Sequence, residues 1–244
     1  MLKEFIAHIQ ETTSPTILRE DDRAFAVTSA GKIVEIRRTI DHPDVLSLNS
    51  LDALVKLVKT EALRLTSAPL YITIPSHKTV QCFTQPSTEE RYFRQTFYEV
   101  LATDVPGWDS KVQLPFEEMQ IALRTRFQET PDAIYAMKLL SDITTGGKVT
   151  YNDNGIATSV VTRKGIDLQS NEAIRPIVRL KPYRTFQEVE QPESTFLIRV
   201  SERGISFTEA DGGMWKLQAR ETVKKFLEDA LKDLVTGGKV FVAL

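Results

Sequence analysis

Cysteine is almost missing from this chain, with Cys82 the single thiol in 244 residues. A lone cysteine excludes an internal disulfide and fits a reducing compartment. Histidine is nearly as scarce: His8, His42 and His77 are far apart and share no ligand spacing with Cys82, so no metal centre is expected. No apolar run approaches the ~20 residues that span a bilayer, which excludes a membrane helix. The opening MLKEFIAHIQETT lacks the basic-then-apolar layout of a secretory leader, and the expected location is the cytoplasm. An excess of one charge is also missing, because 31 Lys and Arg face 33 Asp and Glu for a net charge of -2. No global field then draws the chain to nucleic acid or an anionic membrane, and any polyanion binding has to come from local clustering. No nucleophile-and-base arrangement stands out. TGGKV recurs at 145–149 and 236–240, but it has neither the spacing nor the strand-to-helix order of a phosphate loop. Glycines that stop a helix before a strand account for both copies. These absences predict a non-enzymatic protein without a cofactor or metal.

What is present is ordinary globular material, 41% hydrophobic and 26% charged, long enough for one large domain or two small ones. Residues 23–28 and 32–37 flank a Ser-Ala-Gly turn and predict a hairpin. Leucines and valines at helical spacing predict a helix over 47–65, capped by Asn49 or Ser50. LYITI and HKTVQCF predict two paired strands. Helices are predicted over 88–102, 114–127 and 131–143, with Phe93, Phe97, Phe116 and Phe127 as helix-core residues. From 146 the pattern turns to strands with an Asn154-Gly155 hairpin, then an amphipathic helix over 219–234 and a last strand, KVFVAL. The fold class is α+β: a mixed lobe over 1–145, then a largely antiparallel sheet over 146–244 backed by the C-terminal helix, the two forming one compact unit. Exposed strand edges predict a homo-oligomer.

The leading candidate site is a basic strand. A period of two places Arg175, Ile177, Arg179, Lys181 and Tyr183 on one face, and Ile174, Pro176, Val178 and Leu180 on the other, toward a core. The arginines offer planar donors for phosphate, and Tyr183 offers a ring for a base. The competing reading is a solvated sheet face whose cations pair with Glu188, Glu190 and Glu193. Asp153, Glu202, Glu209 and Asp211 could collect a divalent cation, and a metal-dependent nuclease would have to gather Asp153, Glu209 and Asp211, but they sit at turns, where such residues serve backbone geometry. Cys82 reads as a buried strand thiol, His77 as a loop or strand-end residue, and Trp108 and Trp215 as core plugs.

LKPYRTFQEVEQPESTFLIRV (180–200), followed by FTEADGGMWKL (207–217) and an amphipathic helix, resembles a family of phage and prophage proteins of unassigned function, the YfdQ-like group. The resemblance extends from about residue 46 and takes in LNSLDALVKLV, PLYITIPSHKTVQCF and DNGIATSVVTRKG. It implies a virally encoded, non-virion protein of mixed fold acting in the host cytoplasm, and it carries over no catalytic residue. The expected function is that of an accessory protein that binds a host component, such as a defence protein or its nucleotide signal. The alternatives are a single-stranded nucleic-acid binder of phage replication or recombination, and a metal-dependent nuclease.

Overall fold

The computed structural model describes residues 16–20, 23–27, 31–36, 42–87, 92–109, 112–145, 148–153, 158–164, 167–168, 175–201 and 204–244. Met1–Pro43 and Asp44–Leu244 are separate compact units. In the first, β1 (Thr16–Glu20), β2 (Arg23–Val27) and β3 (Ile33–Ile36) form an antiparallel meander. The hairpin expected from the sequence is β2–β3, and β1 adds a strand from the segment before it.

The second unit opens with β4 (Leu46–Leu48), which leads into α1 (Leu51–Leu57). Ser50 caps the helix, its Oγ accepting from the Ala53 N–H at 3.3 Å. The helix widens into a π-helical turn, Val58–Ala62, and ends with Leu63–Leu65. The leucine spacing announced this helix but not the strand before it.

A hairpin of β5 (Leu70–Ser76) and β6 (Thr79–Thr84) follows, then β7 (Thr96–Leu101). β7 corrects the helix expected over 88–102; residues 88–91 of that span lie outside the described residues. Its register with β6 shifts between Cys82 and Phe83, so the neighbours Phe97 and Tyr98 are both buried. Two adjacent inward residues break the period of two and imitate a helical pattern, and pairing with β6 decides the outcome.

β8 (Gln113–Leu114) precedes α2 (Phe116–Arg126) and α3 (Pro131–Thr145), close to their expected spans. Glu117 and Glu118 occupy the first turn of α2, where its positive end favours them. β9 (Lys148–Asp153), β10 (Thr158–Lys164) and β11 (Asp167–Leu168) form an antiparallel set; the Asn154-Gly155 turn lies outside the described residues. β12 (Ile177–Leu180), β13 (Ser194–Ser201) and β14 (Gly204–Glu209) then make a sheet in the order β12-β13-β14-β8. The chain closes with α4 (Trp215–Ala230), α5 (Lys232–Thr236) and β15 (Val240–Ala243).

β15 lies parallel to β5, and β4 parallel to β7, which completes a five-stranded mixed sheet ordered β15-β5-β6-β7-β4. Both larger sheets therefore draw strands from either side of residue 145. The architecture is α+β, with two cores. Leu70, Ile72, Val80 and Cys82 meet Leu54 of α1 and Val223 and Leu227 of α4 in the first. Val178, Phe196, Ile198 and Phe207 meet Leu123 of α2 and Leu140 of α3 in the second. The C-terminal helix thus packs on the five-stranded sheet, while α2 and α3 back the antiparallel one. The amphipathic pattern revealed an inward face but not which sheet it would meet.

Candidate functional site

β12 bears out the alternation read from the sequence: Val178 and Leu180 are fully buried, and Ile177 and Arg179 are exposed. The four candidate residues are nonetheless held in different ways. Arg175 pairs with Asp132 Oδ1 at 3.3 Å, and its guanidinium carbon lies 3.8 Å from the centre of the Tyr135 ring. Lys181 donates to Glu190 Oε1 at 2.6 Å, which holds the Glu190 carboxyl below its ordinary pKa. Lys181 and Tyr183 lie beyond the end of the strand, and Tyr183 is half-buried, its backbone N–H donating to Arg126 O at 2.9 Å. The exposed Arg179 points from the strand, and its backbone N–H donates to Asp132 Oδ2 at 2.8 Å. Asp132 therefore plugs the outer edge of β12 at this point. Two of the three cations are paired with acids, so the basic face is weaker than its sequence.

The TFQEVEQPES segment builds a second polar centre that sequence reasoning did not single out. Gln191 is buried; its Oε1 accepts from the backbone N–H groups of Arg184 and Thr185, and its Nε2 donates to Phe186 O at 2.9 Å. This one amide ties the loop into a fixed shape. Arg184, 3% exposed, reaches Glu209 Oε1 at 2.7 Å and Ser194 Oγ at 3.3 Å through Nη1, and stacks 4.3 Å from the Trp215 ring centre. Burial works against its charge, which Glu209 and Asp211 support. His77 meets the edge of Trp215 at 4.7 Å, and its pKa is lowered to about 4 by burial and by Lys78, Lys216 and Arg184. Glu209 is thus spent on Arg184. Asp211 accepts from the Gly213 N–H at 3.0 Å, which is turn chemistry. Among the described residues no three His, Cys, Asp or Glu side chains gather in metal-binding fashion, and no helix is long and apolar enough to cross a membrane. Glu202 lies outside the described residues.

A cavity of about 340 Å³ sits where β4 and β7 end and α1 begins, lined by Asn49, Ser50, Asp104, Phe186, Gln187 and Glu188. Glu188 Oε1 accepts from the Leu51 N–H at 2.7 Å. A carboxylate already occupies the positive end of α1, so the cavity does not suit an anion.

The open face of the five-stranded sheet is organised differently. Phe241 of β15, Tyr71 of β5 and Phe83 of β6 stand in register across three adjacent strands. Tyr71 stacks on Phe241 at 5.4 Å and on Phe83 at 6.1 Å, with interplanar angles of 24° and 12°. Arg94 brings its guanidinium carbon to 5.6 Å from the Tyr71 ring centre and 5.4 Å from that of Phe83. Phe241 is 45% exposed, Tyr71 and Phe83 are half-buried, and both Arg94 and Lys239, two residues before Phe241, are exposed. The next row is Ala243, Thr73, Gln81 and Glu99, with Gln81 Nε2 donating to Glu99 Oε1 at 3.1 Å. Rings and hydrogen-bonding side chains thus lie in successive rows, with Arg94 against the rings. The signal was present in LYITI, VQCF and VFVA, whose alternation puts these rings in the outward phase, but only strand pairing brings the three segments together.

No family model, curated protein or solved structure matches this chain.

Proposed function

We propose that the chain is a phage-encoded accessory protein that works by binding, and that its partner is single-stranded nucleic acid held on the open face of the five-stranded sheet. The observation that carries this reading is the stacked row Phe241–Tyr71–Phe83 with Arg94 against it. Rings presented on a sheet take unpaired bases by stacking, and about two or three bases are what a sheet of this kind accommodates. The flanking cations suit phosphates, and the amide and carboxylate of Gln81 and Glu99 suit base edges. A purely apolar partner would gain nothing from either flank.

The test is fluorescence anisotropy of a labelled single-stranded oligonucleotide at several salt concentrations. Tyr71→Ala is expected to weaken binding by about 1–3 kcal/mol. With Arg94 and Lys239 as the cations of the face, the log–log salt slope is expected between about -0.7 and about -1.4. No binding at low salt would remove the reading and return the face to a protein partner, such as a host-defence protein.

A further inference from the structure

Tyr92 is the one non-glycine among the described residues with a positive φ, at 64°. At 72% it is also the most exposed large hydrophobic side chain among the described residues. The left-handed conformation is unfavourable for a bulky L-residue, and Gly or Asn adopts it readily. A ring so exposed recovers little by burial to offset that strain. Burial therefore does not call for tyrosine here.

The backbone around it is well held. The Tyr92 N–H donates to Ser87 O at 2.7 Å, and the Ser87 N–H donates to Phe93 O at 2.9 Å, which closes the end of the β6–β7 ladder at the Ser87–Phe93 bridge. Two residues on, Arg94 turns its guanidinium onto Tyr71 and Phe83. Two residues span at most about 7 Å of chain. The Tyr92 backbone therefore lies within about 7 Å of that of Arg94, whose guanidinium forms the cationic flank of the aromatic row.

We propose that Tyr92 is a fourth stacking ring, which takes the nucleobase adjoining those on the Phe241–Tyr71–Phe83 row. This rests on the single-strand reading of that row. Strain at an exposed aromatic is a common mark of a ligand clamp, because the conformation is kept for contact with a partner and not for stability. The ring face is the working part, since stacking is tolerant of sequence and makes no use of the hydroxyl.

Three variants in the full chain test this: Tyr92→Gly, Tyr92→Phe and Tyr71→Ala, each measured for oligo-dT binding and for its urea midpoint. Tyr92→Gly is expected to raise the urea midpoint by relieving the left-handed strain, and to weaken binding about fivefold or more. Tyr92→Phe is expected to bind like the parent. Lengthening the oligonucleotide by one base beyond the row should tighten binding in the parent but not in Tyr92→Gly. If Tyr92→Gly binds like the parent while Tyr71→Ala is impaired, the fourth ring is refuted and the aromatic row stands. If Tyr71→Ala also binds like the parent, the single-strand reading falls and takes this inference with it.

Discussion

Replacing Gly204 with alanine tests how the antiparallel sheet is closed. Gly204 has φ +131°, and a Cβ built on it would lie 2.0 Å from Leu114 O and 2.7 Å from Leu114 C. Both atoms are backbone, so no side chain can swing aside. β8 would have to retreat by more than about 1 Å, while the residue itself enters a region that costs an L-amino acid about 1–3 kcal/mol. The retreat strains the pairs Ile205↔Leu114 and Ser206↔Gln113, and the Gln113 Nε2 contacts with Ser201 Oγ and Gly204 O. With about 1 kcal/mol for each hydrogen bond lost, the total is roughly 3–5 kcal/mol, a large share of the ~5–15 kcal/mol that holds a domain folded. Gly107 is the control. It also has a positive φ, +70°, but nothing lies within 4 Å of an added Cβ, so Gly107→Ala should cost about 1 kcal/mol. Urea unfolding followed by circular dichroism measures both. If Gly204→Ala were no worse than Gly107→Ala, the backbone approach of β14 to β8 would not be what selects glycine.

His77 has its pKa lowered from 6.5 to about 4, so the unfolded chain binds the proton more readily than the folded one. Its stabilising contribution is complete above about pH 6.5 and is lost as pH falls toward 4; the full shift corresponds to about 3 kcal/mol, and partial solvent contact brings the expected loss to about 1–2 kcal/mol. Unfolding midpoints across that range should show this, and His77→Gln should flatten the dependence. Cys82 is fully buried, with its pKa raised to about 12 by burial; a thiol reagent should modify it only at the rate of unfolding, and fast labelling of the native protein would contradict the packing of β6. Asp132→Ala removes the acceptor at the β12 edge and the partner of Arg175, and should cost about 1–3 kcal/mol while increasing self-association in light scattering; Asp132→Asn, which keeps an acceptor oxygen, should lose less.

Much of this protein is written locally. The helix from Leu51 follows from leucine spacing and the Ser50 cap, and β5 with β6 from the alternation within LYITI and HKTVQCF, because each pattern acts over a few residues and needs no distant partner. The alternation of β12 was legible for the same reason. Tertiary structure decided what those patterns meet. β7 is a strand because β6 pairs with it, although its two adjacent buried aromatics look helical in isolation. α4 covers the five-stranded sheet because β15 returns beside β5. The cations of the basic strand lose force because Asp132 and Glu190, distant or across a loop, come to pair with them. The row of Phe241, Tyr71 and Phe83 joins residues up to 170 positions apart, read from their numbers in the sequence. A periodic pattern states which way a side chain points, but strand order decides its neighbours, and that order is set by burial summed over the whole chain.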